Sequence, residues 1–348
     1  MPYSVLQPVQ RRRRRPRRGR QALALLVLAG VLAVASLGAT RHWAFARGKT
    51  DVAAKAPPKP RPHRISAQTL AKLRSAKAEQ RSTPVSPFAR RAPLLTSAAP
   101  RLEGRLKTPI SAPAAILVDA DTGAVLWARR ARQRRPVAST TKIMTGALAL
   151  QHLSLDKVVR VNPIVPRVAL NREGLRAHER VAVWKLMYGL LLFSGNDDAL
   201  ELAIATSGSK GGFLALMNEK AHELGLRDTH YTSPSGVVDR GNYSSARDLA
   251  ALARYALAIP KFRAIVRTRI ANVKWTKPTY AKTYVNKNPL LGRYRGADGV
   301  KTGWTTIAGH CLVASARRGN RRLIAVVLHA SDPYGDATRL LNFGFANR

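Results

Sequence analysis

One segment of the sequence carries no charge. Residues 21–40 (QALALLVLAGVLAVASLGAT) lack Lys, Arg, Asp and Glu, although the 348-residue chain contains 60 Lys/Arg and 19 Asp/Glu. Twenty helical residues span about 30 Å, the thickness of the hydrocarbon core of a bilayer. Residues 1–20, which precede this segment, contain eight arginines. The positive flank predicts a transmembrane anchor with a basic cytoplasmic tail, so that the rest of the chain lies outside the cytoplasm.

The same segment also fits a signal sequence that is cleaved after export. Ala33, Val34 and Ala35 offer small residues for a cleavage site. The protein is therefore expected either as a single-pass membrane protein or as a secreted one, with its folded part in the periplasm or another extracytoplasmic space. Nucleic acid is not an expected partner of the arginine run, because an apolar span follows it directly.

Residues 41–107 have the composition of a linker. They are rich in proline and contain 16 Lys/Arg against 3 Asp/Glu, with few large apolar residues. Such a segment cannot bury enough apolar surface to fold by itself. Residues 108–348 are basic as well, with 36 Lys/Arg against 16 Asp/Glu. This excess predicts attraction to polyanions, here anionic membrane and wall polymers.

Residues 108–348 show the periodicities of a folded domain. Strands are predicted at 114–120, 124–128, 299–303, 311–317 and 322–329, and helices at 139–152, 182–206, 210–225, 245–257 and 335–346. Strands at both ends with helices between them predict an α+β domain in which the terminal strands share one sheet.

A serine and a lysine three residues apart open the first of these helices. Ser139 and Lys142 lie in RPVASTTKIMT, and residues at i and i+3 share one face of a helix. Partial burial and a second cation would lower the pKa of the Lys142 amine, which could then accept the proton of the serine hydroxyl. The pattern alone is weak, because Ser154/Lys157 and Ser207/Lys210 match it too. The alternative is a helix cap followed by a surface charge.

Two further polar motifs follow along the chain. Ser194, Gly195 and Asn196 interrupt an apolar helical run (LLLFSGNDDALELA), which is costly unless they line a cavity; the alternative is a helix junction capped by Asp197. The second motif, in GVKTGWTT, begins with a lysine that would supply the second cation. Its glycine would let a substrate backbone approach the strand closely. The alternative there is a turn at a sheet edge.

Together these motifs resemble those of the serine D-Ala-D-Ala carboxypeptidases, the low-molecular-mass penicillin-binding proteins. Ser-x-x-Lys, Ser-x-Asn and Lys-Thr-Gly occur in the family's order, with 55 and 107 residues between first positions. MNEKAHELGLRDTHYTSPSG, YSSARDLAALARYAL and ADGVKTGWTTIAGHCLVASA strengthen the resemblance, which covers about residues 110–346. It implies the serine DD-peptidase/β-lactamase-like fold: an antiparallel sheet flanked by helices, with a helical subdomain and the active site between them.

The resemblance also implies roles for individual residues. Ser139 would be the nucleophile, Lys142 its base and Ser194 a proton relay. Asn196 would bind the substrate amide. On the Lys-Thr-Gly strand, Lys301 would be the second cation and Thr302 would bind the terminal carboxylate beside Gly303, while backbone N–H groups of Ser139 and Trp304 would form the oxyanion hole.

The implied reaction is removal of the terminal D-Ala from peptidoglycan stem peptides through an acyl-enzyme. β-Lactams are expected as covalent inhibitors, and neither a cofactor nor a metal is expected. Many family members carry a further β-rich domain and a C-terminal anchor. Here the chain ends at Arg348 after the last predicted helix, so the anchoring role is expected to fall to residues 21–40.

Alternatives within and outside this family remain at this point. AGHCLV and the short form are similar to the family's endopeptidases, which cut D-alanyl cross-links, and His310 in this segment is expected to pack beside the sheet. A class A β-lactamase needs a glutamate for deacylation, and Glu201 is predicted inside a helix instead. Gly-x-Ser-x-Gly and His-Glu-x-x-His are both absent from the sequence. A non-catalytic wall-binding protein would explain the charge but not the three motifs.

Overall fold

The computed structural model describes residues 95–96, 106, 109–237, 241–274 and 281–347. The predicted tail (1–20) and apolar span (21–40), and nearly all of the predicted linker, lie outside these residues. Within the described part, no helix combines the length and the apolar character needed to cross a bilayer.

A five-stranded antiparallel sheet forms the centre of the domain. Its strands are β1 (Ala114–Asp119), β2 (Val125–Arg129), β7 (Ala297–Thr305), β8 (Gly309–Arg318) and β9 (Arg321–Ala330), in the order β2-β1-β9-β8-β7. The first and last strands of the domain therefore pair directly, with Ile116 opposite Val326. This arrangement confirms the prediction that the terminal strands share one sheet.

Helices lie on both faces of this sheet. The described residues contain α1 (Lys142–His152), α2 (Val183–Tyr188), α3 (Asn196–Ser207), α4 (Lys210–Glu223), α5 (Ala246–Ala258), α6 (Pro260–Val266) and α7 (Pro333–Ala346). Side chains alternate along β1: Ile116 and Val118 face the core that includes α1 and α5, whereas Leu117 faces the core under α7. Alternate side chains of the strand therefore pack into two apolar layers, one on each face of the sheet.

Four short strands were not predicted from the sequence. β3 (Val158–Arg160) pairs with β4 (Arg180–Ala182), and β5 (Ile270–Val273) pairs with β6 (Lys282–Val285), both antiparallel. Each strand has three or four residues, too few for a period-2 pattern to stand out. The predicted start of the helix at 245–257 is confirmed, because the Ser245 side chain caps α5 by accepting a hydrogen bond from the backbone nitrogen of Asp248.

The helix predicted over 182–206 is wrong as a single element. A π-helical turn over Gly189–Phe193 follows α2, and Ser194 then adopts a left-handed conformation with φ 74° and ψ 36° before α3 begins. The backbone N–H groups of Ser194 and Gly195 both donate to the carbonyl of Gly189. The break satisfies these backbone groups locally and turns the Ser194 side chain out of the helical path.

Candidate active site

The predicted serine–lysine pair meets at the start of α1. Ser139 lies in a 3₁₀ turn, Ala138–Thr141, and Lys142 is the first residue of the α-helix. Lys142 Nζ lies 2.9 Å from Ser139 Oγ. Ala138, directly before the serine, has φ 47°, a conformation that costs free energy for a residue with a Cβ and that recurs at functional sites.

Lys142 is the most deeply enclosed group of the site. Its side chain has no exposed surface, and Nζ also contacts Asn196 Oδ1 at 2.8 Å and the carbonyl oxygen of Ser235 at 3.1 Å. Burial lowers the pKa of Lys142 well below its ordinary value, and the charge of Lys301 lowers it further. The lowered pKa expected from the sequence is confirmed, although burial is complete instead of partial. All three contacts are with neutral oxygens, so a neutral amine fits this position.

The second wall is formed by the break between α2 and α3. Ser194 lies on the cleft surface, whereas Asn196 is only 1% exposed and lies behind it, against Lys142. The amide nitrogen of Asn196 donates to the carbonyl of Ala169 at 3.3 Å. Asn196, which was predicted to bind the substrate amide, therefore forms hydrogen bonds within the protein and orients Lys142.

Asn171 fixes this wall and was not identified from the sequence. Its side-chain nitrogen donates to the carbonyl of Ser194 at 2.6 Å, and its own carbonyl accepts from the Asn196 backbone at 2.8 Å. The segment around it (VALNREGL) has no helical or strand period, so the sequence offered no signal for this contact.

Strand β7 supplies the third wall. The Lys301 side chain is 2% exposed and its Nζ donates to the carbonyl of Thr302 at 2.9 Å. Burial, followed by repulsion from Lys287, lowers the pKa of Lys301 to about 7. Thr302, Gly303 and Trp304 line the cleft, and Trp304 is 57% exposed at its mouth.

Gly303 lies against the backbone of the segment that contains Ser139. A Cβ built on it would lie 3.0 Å from the backbone nitrogen of Ser139 and 3.1 Å from that of Thr140. The missing side chain therefore lets this segment approach β7 closely, and the approach of a substrate backbone to Gly303 stays a prediction. This packing brings the backbone of Ser139 beside the strand that carries Trp304.

A polar loop encloses Lys142 from the remaining side. Asn242 Oδ1 accepts the backbone N–H groups of Thr232 and Ser233, and Thr145 Oγ1 donates to the carbonyl of Pro234. The loop thereby presents the Ser235 carbonyl to Lys142. Its residues (YTSPSG) predict a turn from their composition, but nothing in that composition predicts a contact about 90 residues away in the chain.

The three walls enclose a cleft of about 970 Å³. Ser139, Ser194 and Thr302 lie on its surface, with Lys142 and Lys301 buried behind it. No Asp or Glu is among the described residues that line it. Within the same part of the chain, no group of three His, Cys, Asp or Glu is arranged to hold a metal ion.

His310 lies on the cleft wall. It pairs with Trp304 across β7 and β8, with its ring centroid 6.1 Å from that of the tryptophan. The side chain is exposed at the cleft rim. Its position on β8 agrees with the expectation that it packs beside the sheet.

The other residues considered from the sequence have structural roles elsewhere. Glu201, on α3, accepts a hydrogen bond from the Asn162 backbone at 2.8 Å and does not line the cleft. Ser209 caps α4 by accepting from Gly212, so the Ser207/Lys210 match lies at a helix start remote from the cleft. Lys157 and Ser154 share a backbone turn. Of the three Ser-x-x-Lys matches, the cleft contains the one at Ser139.

The chain is similar to known D-alanyl-D-alanine carboxypeptidases. A family model with that description matches residues 101–332. D-alanyl-D-alanine carboxypeptidase DacF of Bacillus subtilis (strain 168) is 37% identical over 245 residues, covering 68% of this chain and 62% of the relative. The D-alanyl-D-alanine carboxypeptidase of Streptomyces sp. (strain K15) is 36% identical over 259 residues, 69% of this chain and 89% of the relative. The match thus spans less than two thirds of the Bacillus protein.

Solved structures show the same similarity. The crystal structure of Streptomyces K15 DD-transpeptidase has a TM-score of 0.64 at 36% identity, covering 69% of this chain and 99% of that one. A D-alanyl-D-alanine carboxypeptidase from Mycobacterium tuberculosis H37Rv has a TM-score of 0.67 at 33% identity, with coverages of 72% and 97%. The predicted α+β fold class is confirmed.

Proposed function

The chain belongs to the D-alanyl-D-alanine carboxypeptidase family, and from this premise we propose that it is a serine DD-peptidase that removes the terminal D-Ala from peptidoglycan stem peptides. The observation that carries the proposal is the Lys142 amine. It is fully buried, 2.9 Å from Ser139 Oγ, and its pKa is lowered well below the ordinary lysine value. A serine hydroxyl is a weak nucleophile until an adjacent base accepts its proton.

Acylation follows from this pair. Ser139 Oγ attacks the carbonyl carbon of the penultimate D-Ala while its proton passes to Lys142 Nζ. The peptide C–N bond then breaks, and the departing D-Ala amine receives a proton from Lys142 through Ser194, which lies on the facing wall. The stem remains bound to Ser139 as an ester.

Two backbone donors would stabilise the tetrahedral intermediates. These would be the N–H groups of Ser139 and Trp304, which is supported by the close approach of the Ser139 backbone to β7 at Gly303, the residue before Trp304. Removing one donor of this kind from an enzyme typically raises the activation barrier by about 3–4 kcal/mol. Deacylation repeats the chemistry with water as the nucleophile and Lys142 as its base.

The remaining predicted residues would hold the substrate. Thr302 lines the cleft and Lys301 lies directly behind it. The pKa of Lys301, about 7, leaves this amine only partly charged near neutral pH. An anionic group bound in the cleft would favour its charged form, so the terminal carboxylate and Lys301 would stabilise each other.

A covalent label tests the proposal. Purified protein incubated with a fluorescent penicillin should become labelled, and Ser139→Ala should abolish the label while leaving the thermal unfolding curve intact. Mass spectrometry of muropeptides after incubation should then show loss of one terminal alanine. An unlabelled wild-type protein that also leaves the muropeptides unchanged would refute the proposed function.

Two related activities would use the same site, and the muropeptide products distinguish them from carboxypeptidase activity. Cleavage of D-alanyl cross-links, the endopeptidase alternative, would convert muropeptide dimers to monomers. Transfer to an amine is a candidate because one solved neighbour is a DD-transpeptidase; an added amino acid acceptor would then appear in the product. A β-lactamase is disfavoured, because no carboxylate among the described residues lines the cleft to activate a deacylating water.

Location and surface charge complete the proposal. Residues 21–40 would anchor the protein, or be removed as a signal sequence, with the catalytic domain outside the cytoplasm. Salt extraction of membranes and N-terminal sequencing of the mature protein distinguish the two. The basic linker and domain would bind anionic lipids and wall polymers, and sacculus binding should weaken between low and physiological salt, since exposed charges are screened over about 8–10 Å.

A further inference from the structure

The cleft is positive and holds no negative side chain of its own among the residues that the structure describes. Lys287 lies on its surface, and Lys301 and Lys142 lie directly behind. These three amines influence one another: the charge of Lys287 lowers the pKa of Lys301, and those of Lys301 and Lys287 lower the pKa of Lys142. Such an arrangement favours a ligand that brings the missing negative charge.

Lys287 is positioned by neutral groups. Its backbone carbonyl accepts a 3.4 Å hydrogen bond from the Tyr334 hydroxyl. Its Nζ donates to Asn171 Oδ1 at 3.1 Å and lies 4.8 Å from the ring centroid of Phe193. An amide oxygen and an aromatic face orient an ammonium group without neutralising it, so its charge remains available to a bound molecule.

A nearby lysine shows the opposite arrangement. Lys282 Nζ lies 2.5 Å from Glu173 Oε1, and it also contacts the backbone carbonyl of Glu173. That cation is compensated by the protein. Lys287, five residues later, lines the open cleft instead, as Thr302 does.

We propose that Lys287 is a specificity-determining residue whose ammonium group binds a carboxylate of the substrate, beside Thr302 and Lys301. The inference rests on the proposed DD-peptidase function and extends it. A stem peptide with a free C-terminal carboxylate supplies this charge, whereas a cross-linked stem has an amide at the same place. Lys287 would thus favour removal of a terminal residue over cleavage of a cross-link.

The test compares two substrates that differ in one charge. The full-length protein is given an acylated peptide ending in D-Ala-D-Ala and the same peptide with a C-terminal carboxamide. For Lys287→Met we expect kcat/KM on the acid to fall about tenfold, mostly through KM. On the amide we expect a much smaller change, which reports only the altered pKa values of Lys142 and Lys301. Lys287→Arg should keep most of the activity on the acid, because it keeps the charge.

A matched control removes a lysine of similar setting outside the cleft. Lys185 lies on α2 with its Nζ 5.6 Å from the ring centroid of Trp184 and does not line the cleft. Lys185→Met should therefore leave both substrates unaffected. Lys287→Gln serves as the second variant, so that a folding defect specific to methionine cannot be mistaken for a loss of binding.

A second peptide pair identifies the carboxylate. Two stem peptides, with and without a carboxylate on the side chain of the third residue, are compared in the same variants. Loss confined to free C-terminal acids supports the terminal carboxylate as the ligand. Loss confined to the acidic side chain supports recognition of a stem carboxylate by the same lysine.

Two results would overturn the inference. One is an equal loss on acid, amide and both stem peptides, which would show that Lys287 only holds the wall in place. The other is no loss on any substrate. Penicillin labelling and turnover of the wild-type protein are measured first, so a failure of the DD-peptidase proposal itself is seen before any variant is interpreted.

Discussion

The segment from Ser194 to Asp198 separates two clusters of opposite charge. The basic cluster is Lys142, Lys287 and Lys301, which lie in or behind the cleft. The acidic cluster is Glu173, Asp197 and Asp198 with Lys282, and its three carboxyl groups belong to buried residues. Asn196 contacts Lys142, and the next residue, Asp197, contacts the backbone of 173–175.

The two clusters are stabilised in different ways. In the acidic one, Glu173 forms an ion pair and Asp197 accepts three loop N–H groups, whereas the Asp198 oxygens have no hydrogen-bond partner among the described residues. In the basic one, burial and mutual repulsion shift Lys142 and Lys301 toward their neutral forms. Under the proposed function, the cations would act on a substrate, whereas the acids would hold the wall that the substrate meets. Changes in the first should alter activity, and changes in the second should alter stability.

The largest effect is expected at Lys142. Lys142→Arg should reduce the rate of penicillin acylation by about a thousandfold or more, because arginine stays protonated and cannot accept the Ser139 proton. Stopped-flow or gel-based labelling measures the rate. Lys157→Arg is the matched control, since this exposed lysine belongs to a Ser-x-x-Lys pair outside the cleft. A normal acylation rate in Lys142→Arg would refute its role as the base.

Asp197 tests the compensation of the acidic cluster. Its carboxylate accepts the backbone N–H groups of Glu173, Gly174 and Leu175 at 2.7, 2.8 and 3.1 Å. Asp197→Ala should lower the free energy of unfolding by about 2–3 kcal/mol, because the N–H groups of the buried Glu173 and Leu175 lose their acceptor. Urea denaturation measures the change. A loss of activity at unchanged stability would contradict the division between the clusters.

Asp198 is expected to behave in the opposite way to its neighbour. Both of its oxygens are buried and have no hydrogen-bond partner among the described residues. Burial raises the pKa of Asp198 well above its ordinary value, and Glu173 and Asp197 raise it further. The carboxyl group therefore has a higher pKa in the folded state than in the unfolded state. Between these two pKa values, each unit of rising pH makes folding less favourable by up to about 1.4 kcal/mol.

Asp198→Asn should remove this pH dependence. We expect the variant and the wild type to unfold at the same denaturant concentration near pH 4. As the pH rises above 4, the variant should require a progressively higher concentration than the wild type. The exposed Asp156 provides the control, because Asp156→Asn should shift neither curve. A variant that is destabilised equally at every pH would show that Asp198 is a structural acceptor like Asp197.

The smallest effect is a shift in the pH profile. Because the pKa of Lys301 is about 7, its charge is lost above neutral pH, and kcat/KM on a peptide with a free carboxylate should fall several-fold between pH 7 and 9. Lys287→Gln removes a cation that lowers this pKa, so the fall should move to higher pH. Steady-state kinetics across this range provide the measurement. An unmoved profile would mean that the two lysines do not interact.

The sequence contained the local signals of the fold. Apolar runs identified the five strands of the central sheet, and the helix predicted from residue 245 located the start of α5. It did not reveal the break at Ser194, because the apolar period of LLLF continues into ALELA on the far side. The break depends on a left-handed residue and on the Gly189 carbonyl accepting two N–H groups. Nothing in the apolar pattern encodes that geometry.

The order and spacing of three motifs, together with the flanking residues, determined the family and named Ser139, Lys142, Ser194 and Lys301. Only the tertiary structure decided the state of these groups. A lysine is basic by its chemistry, and the pKa of Lys142 falls because the fold removes water around it and places Lys301 nearby. Asn171, Ser235 and Lys287 reach the site from distant parts of the chain, through contacts that no local pattern records. The sequence determines which groups are present. Packing determines the distances between them and their exposure to solvent, and therefore their charge.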